Sequence, residues 1–97
     1  MAKQPESRLV GKILNFLNAN YPGWWRKIHG GPFQSRGIPD IIGCHRGRFI
    51  SIEVKEPGNT ASGLQKKNGN EIRKAKGLWL VAYSVEDVKN MMEAKFK

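Results

Sequence analysis

Leu9, Val10, Ile13, Leu14, Phe16 and Leu17 recur at three- and four-residue intervals, the period at which side chains line one face of an α-helix. The spacing predicts a helix from about Pro5 to Asn18, with Pro5 and Ser7 tolerable near its start. Tyr21-Pro22-Gly23 breaks the chain. Trp24 to His29 then reads as a short strand, because aromatic and branched side chains suit a pleated surface, and Gly30 to Pro39 as a loop. The stretches Asp40 to His45 and Arg48 to Lys55 flank Arg46-Gly47, which predicts a hairpin closed by a tight turn. Pro57-Gly58-Asn59 ends the second strand, and Thr60 or Ser62 caps a helix carrying Leu64, Asn68, Ile72 and Ala75 that stops at Gly77. Leu78 to Tyr83 reads as a buried strand. Ser84 to Asp87 resembles a capping box, with Asp as the weaker closing member, that opens a last helix toward Phe96. The predicted order is αβββαβα.

The hairpin carries the first chemistry. With the turn at Arg46-Gly47, His45 pairs with Arg48, and the same register sets Asp40 opposite Glu53. Directly opposed residues hold their β-carbons about 4.5–5.5 Å apart, and like charges placed there repel unless something lies between them. A divalent cation removes that penalty, and magnesium commonly uses one or two carboxylates together with water and substrate phosphates. Lys55, two residues beyond Glu53, projects from the same face. Charged residues on a hairpin usually form a solvated patch. Here Ile42, Cys44 and Phe49 share the acidic face while Ile41, Ile50, Ile52 and Val54 fill the other, so both sides of the hairpin are expected to be covered. Glu6 lies four and seven residues before Val10 and Ile13, on the inward stripe of the first helix, and so points toward the same region. An acid in a first helical turn is also what the helix dipole favours.

Composition narrows the partner. Seventeen Lys and Arg against eight Asp and Glu give 97 residues a formal charge of +9, a positive field that attracts polyanions. Nucleic acid fits that charge better than a membrane surface, since no basic amphipathic helix with bulky aromatics appears. With 39% hydrophobic and 26% charged residues, the chain has the make-up of a folded protein. Its length leaves room for one core, so residues 1–97 are read as a single domain. A core this small gains from an oligomer interface, and a homodimer is expected. No apolar run is long enough to span a bilayer, and the N-terminus MAKQPESR lacks a signal-peptide core. Cys44 is the only cysteine, which excludes an intrachain disulfide and a cysteine-based zinc framework and fits a reducing, cytoplasmic setting.

Ile38-Pro39-Asp40, twelve intervening residues and Glu53-Val54-Lys55 resemble the signature of the PD-(D/E)XK nuclease superfamily, whose shared core is αβββαβ. The details are most similar to its virus-type replication-repair branch, VRR-NUC: Gly37-Ile38-Pro39-Asp40 entering a strand, Ile52-Glu53-Val54-Lys55, then Ser62-Gly63-Leu64-Gln65 opening a basic helix. The likeness runs from about Glu6 to Tyr83. It implies a restriction-endonuclease-like α/β fold, a mixed central sheet flanked by helices, here with a C-terminal helix added. It implies Asp40, Glu53 and the carbonyl of Val54 as ligands of Mg²⁺ or Mn²⁺, Lys55 in the role of the ExK lysine, and Gln65 as the glutamine near the site. A glutamine at a helix start often only bonds local backbone, and Gly63 is a poor helix former there.

The activity so implied is phosphodiester hydrolysis by a metal-dependent deoxyribonuclease, an endonuclease rather than an exonuclease, selective for branched or junction DNA in replication, repair or recombination of a bacterial or phage-infected cell. Ser35, Arg36, Lys66, Lys67 and Arg73 are candidates for gripping DNA phosphates, although lysines on helices are often simply solvated. His29 reads as structural at the end of an apolar strand, and Trp24 and Trp25 as core or interface aromatics rather than base-stacking ones. Two rivals stand beside this reading. One is a basic DNA-binding protein without catalysis, its acids forming an ion-pair network. The other is a junction resolvase whose two sites are set by a dimer.

Overall fold

A computed structural model describes residues 6–29 and 36–97. The elements are α1 (Glu6–Asn20), β1 (Trp24–Lys27), β2 (Ile41–His45), β3 (Arg48–Val54), α2 (Gly63–Lys74), β4 (Leu78–Ala82) and α3 (Val85–Lys95). The predicted order holds throughout. The four strands form one sheet in the order β1-β2-β3-β4, antiparallel from β1 to β3 and parallel between β3 and β4. This is the mixed sheet that the sequence predicts. Parallel pairing of β3 with β4 requires a crossover, and α2 supplies it.

One face of the sheet carries the apolar core. Ile41, Ile50, Ile52, Val54 and Ala82 meet Val10, Ile13 and Leu17 of α1 and Val88 and Met92 of α3, all buried. Each of the larger side chains contributes about 1.5–3 kcal/mol by leaving water. Trp25 joins this core over Gly43, where an added β-carbon would sit 2.1 Å from the indole ring, and its Nε1 donates to the Tyr21 carbonyl at 3.0 Å. The opposite face receives α2. Gly69 allows that contact, since a β-carbon there would meet the Trp79 ring at 2.2 Å.

The hairpin turn is type I′, with positive φ at both Arg46 (53°) and Gly47 (78°), the hand that matches strand twist. Every β2–β3 pair sums to 93 in residue number, from Ile41↔Ile52 to His45↔Arg48, so the expected register is correct. The boundaries differ in detail. α1 runs on to Asn20, where the Asn18 and Asn20 side chains donate to the carbonyls of Leu14 and Phe16. β1 ends at Lys27, which leaves His29 exposed outside the strand rather than structural. Ser62, not Thr60, caps α2. That helix ends before Gly77: Lys76 takes the positive φ of 74°, and the Lys76 and Gly77 N–H groups donate to Arg73 and Ile72, the Schellman pattern one residue early. Ser84 accepts from the Asp87 N–H, but the Asp87 carboxylate turns to the Tyr83 N–H, so the capping box is only half formed.

Cover over the second sheet face is also partial. Ser51 and Glu53 are buried, with Gln65 of α2 on Glu53, whereas Cys44 and Phe49 stay exposed, contrary to the expectation of two covered sides. The two tryptophans part company, Trp25 entering the core while Trp24 is 49% exposed beneath the Arg26 guanidinium. Among the described residues no helix is long and apolar enough to cross a membrane.

Candidate active site

Asp40 and Glu53 converge where β2 begins and β3 ends. Asp40 stands just ahead of β2, half-buried, and its Oδ2 accepts the Val54 N–H at 2.8 Å. This bond has a local cause. Continuing the hairpin register sets Pro39 opposite Val54, and proline has no N–H to return to the ladder. The β2–β3 pairing stops at Ile41↔Ile52, so the Val54 N–H, whose ladder acceptor would be the Pro39 carbonyl, goes to the Asp40 carboxylate, and the Val54 carbonyl finds no N–H donor at Pro39. Gly37 shapes the approach. At φ 81° it lies so close to α2 that a β-carbon would sit 2.8–2.9 Å from the Leu64 carbonyl group, which seats the segment leading to Asp40 against the start of that helix.

Glu53 is only 2% exposed. Gln65 Nε2 donates to its Oε2 at 2.8 Å, and Lys55 Nζ stands 3.9 Å from the same oxygen. Glu53 Oε1 is shut from solvent and meets no N–H or O–H donor; a hydrogen bond to the neighbouring Asp40 carboxylate needs a proton on one of the two acids. Its carboxyl is pushed from 4.5 up to about 8, first by burial, then by the charge of Asp40 and a side-chain hydrogen bond with it, with Lys55 opposing and Glu6 adding a further upward push. A carboxyl held this way takes up a proton or a cation, because either relieves two acids forced together out of water.

Gln65 serves both of the roles considered for it. Its Oε1 accepts the Ser62 N–H at 2.7 Å while the Ser62 hydroxyl accepts the Gln65 N–H at 3.2 Å, a complete capping box. The amide nitrogen left over is the one that reaches Glu53. The first turn of α2 therefore fixes the carboxylate's orientation. Glu6, in the first turn of α1, accepts the Glu56 N–H at 3.3 Å, which ties the start of α1 to the chain just past Lys55.

The predicted phosphate-gripping residues divide. Lys66 and Arg73 face a groove between α2 and β4, whereas Lys67 is exposed and paired with Glu71 at 3.7 Å. Arg36 is exposed, and its carbonyl accepts from the Asn68 side chain at 3.4 Å. Ser35 lies outside the described residues. Sequence reasoning passed over Asn70, Trp79 and Tyr83, which line that groove with Lys66 and Arg73; the four- and three-residue spacing of Lys66, Asn70 and Arg73 was the signal available. It also passed over His45, 5% exposed, with Nδ1 2.6 Å from the Pro22 carbonyl and its ring edge-on to Tyr21 and Phe96. That histidine anchors the far end of the sheet.

Among the described residues no three His, Cys, Asp or Glu side chains form a metal-binding group. The donor set is two carboxylates and a backbone carbonyl, with Glu6 farther out. Such a set suits a hard cation that keeps part of its water shell, as magnesium does, and the orphaned Glu53 oxygen is the observation that favours one.

No family model and no curated protein matches this sequence. Solved structures do. One described as a VRR_NUC domain superposes with a TM-score of 0.77 at 24% identity, over 94% of this chain and 97% of its own. A second, described as a VRR_NUC domain protein, gives a TM-score of 0.78 at 16% identity, over 99% and 91%. The chain has the VRR-NUC fold. The likeness spans nearly the whole chain, so α3 lies inside the region it covers. In this VRR-NUC fold, Asp40, Glu53, Lys55 and Gln65 gather at the junction of β2, β3 and α2.

Proposed function

We propose that the protein is a metal-dependent deoxyribonuclease whose active site is Asp40, Glu53 and Lys55, supported by Gln65 and Glu6. The observation that carries this reading is Glu53: a buried carboxylate beside a second acid, with one oxygen reached by no N–H or O–H donor and a lysine poised on the other. A structural ion-pair network would satisfy both oxygens.

Asp40, Glu53 and the Val54 carbonyl would hold Mg²⁺ or Mn²⁺. The chemistry a bound ion supplies is a bound water of lowered pKa and neutralisation of phosphate charge. The chain's own groups do the rest. Gln65 fixes the Glu53 carboxylate through a hydrogen bond whose other end is anchored in the helix cap. Asp40 is held by the Val54 N–H, so both acids are oriented before substrate arrives. Lys55, only 16% exposed in its side chain, presents an ammonium that orients the attacking water and offsets negative charge building on the phosphate. Glu6 holds the backbone that follows Lys55 and so limits how far that lysine can move.

We read the substrate as branched or junction DNA and the active form as a cytoplasmic homodimer. The net charge of +9 supports a polyanion. The exposed row Trp24, Cys44 and Phe49, paired across β1, β2 and β3, supports a second copy on that face. A panel of end-labelled flap, four-way-junction, single-stranded and duplex DNAs, incubated with Mg²⁺, Mn²⁺ or EDTA, tests the reading. Cleavage with either metal and none in EDTA is expected. Tight DNA binding with no cleavage in any metal would instead make it a non-catalytic DNA-binding protein.

A further inference from the structure

The groove between α2 and β4 has a volume of about 400 Å³. Lys66, Asn70 and Arg73 form its helical wall and Trp79, Val81 and Tyr83 its strand wall, and none of its lining residues is acidic. The two adjacent lysines of the first turns differ. Lys67 is paired with Glu71, whereas Lys66 faces the groove and has no acidic partner among the described residues. Arg73 is held in place, its Nη2 donating to the Trp79 carbonyl at 3.0 Å and its guanidinium 5.1 Å from the centre of the Trp79 ring. Tyr83 is held too, its hydroxyl donating to the Asn59 carbonyl at 2.8 Å. Trp79 packs against Gly69, which fixes the strand wall against α2.

The groove adjoins the carboxylates. Val81 is the register partner of Glu53, one strand spacing of about 4.8 Å away, and Gln65, which grips Glu53, immediately precedes Lys66. A substrate strand with its scissile phosphate at Glu53 that continues toward β4 meets this groove next. Its volume falls at the lower end of small-ligand sites, roughly 300–1,000 Å³, enough for one nucleotide and not for paired, stacked bases. A base can enter only from outside a duplex stack, which is least costly when it is already unpaired.

We propose that this groove holds one unpaired nucleotide of the substrate strand beside the cleavage site, its phosphate on Lys66 and Arg73 and its base against Val81 and Tyr83. The proposal rests on the nuclease reading and gives it a substrate class: DNA with an unpaired strand next to the cut, which flaps, junctions and tails all supply. Duplex DNA is then bound through its outer phosphates alone.

The test uses the full chain in EDTA and two labelled DNAs that share one duplex, one blunt and one with a short oligothymidine tail, read by fluorescence anisotropy. The tailed DNA is expected to bind about tenfold more tightly, the scale of one base stacked on an aromatic side chain. Asn70→Trp fills the groove without changing its charge and should bring the ratio of the two affinities close to one. Lys66→Ala, at an exposed position, should lower the ratio as well and decides the matter if the tryptophan variant fails to fold. The same ratio is then read as cleavage rate with Mg²⁺. Equal binding of both DNAs by the unsubstituted protein, or a tail preference that survives in folded Asn70→Trp or in Lys66→Ala, overturns the proposal. A preference that the variants abolish, with no cleavage of either DNA, upholds the groove and sinks the nuclease reading alone.

Discussion

Glu53→Gln isolates the charge that the fold opposes most. The Glu53 carboxyl stands at about 8 instead of 4.5, chiefly because burial strips it of water and then because Asp40 lies beside it. Between those two pH values the folded chain keeps a proton that the unfolded chain has released, so stability falls as pH rises. The contribution is complete below about pH 4.5 and is lost as pH climbs through about 8. At about 1.4 kcal/mol per pH unit, the loss reaches at most roughly 5 kcal/mol. For a domain of this length each kcal/mol moves the melting temperature by roughly 4–8 °C. Glutamine keeps the shape, offers a carbonyl to Gln65 and an amide donor to Asp40, and carries no charge to desolvate. Thermal unfolding followed by circular dichroism in EDTA, from pH 5 to 9, makes the comparison. The Tm of the original chain should fall relative to that of Glu53→Gln across this range, by ten degrees or more at its end. Added Mg²⁺ at the upper pH should restore the original chain and not the variant. Parallel curves for the two proteins in EDTA would refute the reasoning.

Other substitutions probe the supports of the site. Gln65→Ala removes both the return half of the capping box and the bond to Glu53, and should cost about 1–2 kcal/mol in urea unfolding and weaken Mn²⁺ binding by about 10- to 100-fold in calorimetric titration. Gly69→Ala drives a methyl group into the Trp79 ring, which forces α2 away from β4; a loss of about 1–3 kcal/mol is expected, and an unchanged Tm would show that the helix is not seated there. Lys76→Gly relieves the left-handed backbone that ends α2 and should raise stability by about 1 kcal/mol, measured by the same unfolding curves.

Much of this arrangement is legible in the chain because local signals and packing agree. Arg46-Gly47 sets the hairpin register, the apolar alternation of Ile50, Ile52 and Val54 sets its faces, and together they set Asp40 near Glu53. The stripe Val10, Ile13 and Leu17 likewise marks the buried face of α1. What the pattern does not carry is tertiary. The Val54 N–H goes to Asp40 because the β2–β3 pairing stops short of it, at Ile41↔Ile52. The bond from Gln65 to Glu53 requires α2 to lie over the end of β3, and Gly69 permits that only because Trp79 is beneath it. His45 reads as one more strand residue until Tyr21, Pro22 and Phe96 close around it. The groove beside the carboxylates joins Asn70 to Tyr83 across a crossover, and spacing along one helix gives only half of it.

The most direct test of the account is Asp40→Asn, which keeps an oxygen for the Val54 N–H and removes the charge. Cleavage of labelled branched DNA with Mg²⁺ and with Mn²⁺ is measured for both proteins, alongside DNA affinity in EDTA. The account predicts that the original chain cuts only with metal and that the variant cuts at least about 100-fold more slowly while binding DNA as tightly. Equal cleavage by the two proteins would place the active site elsewhere.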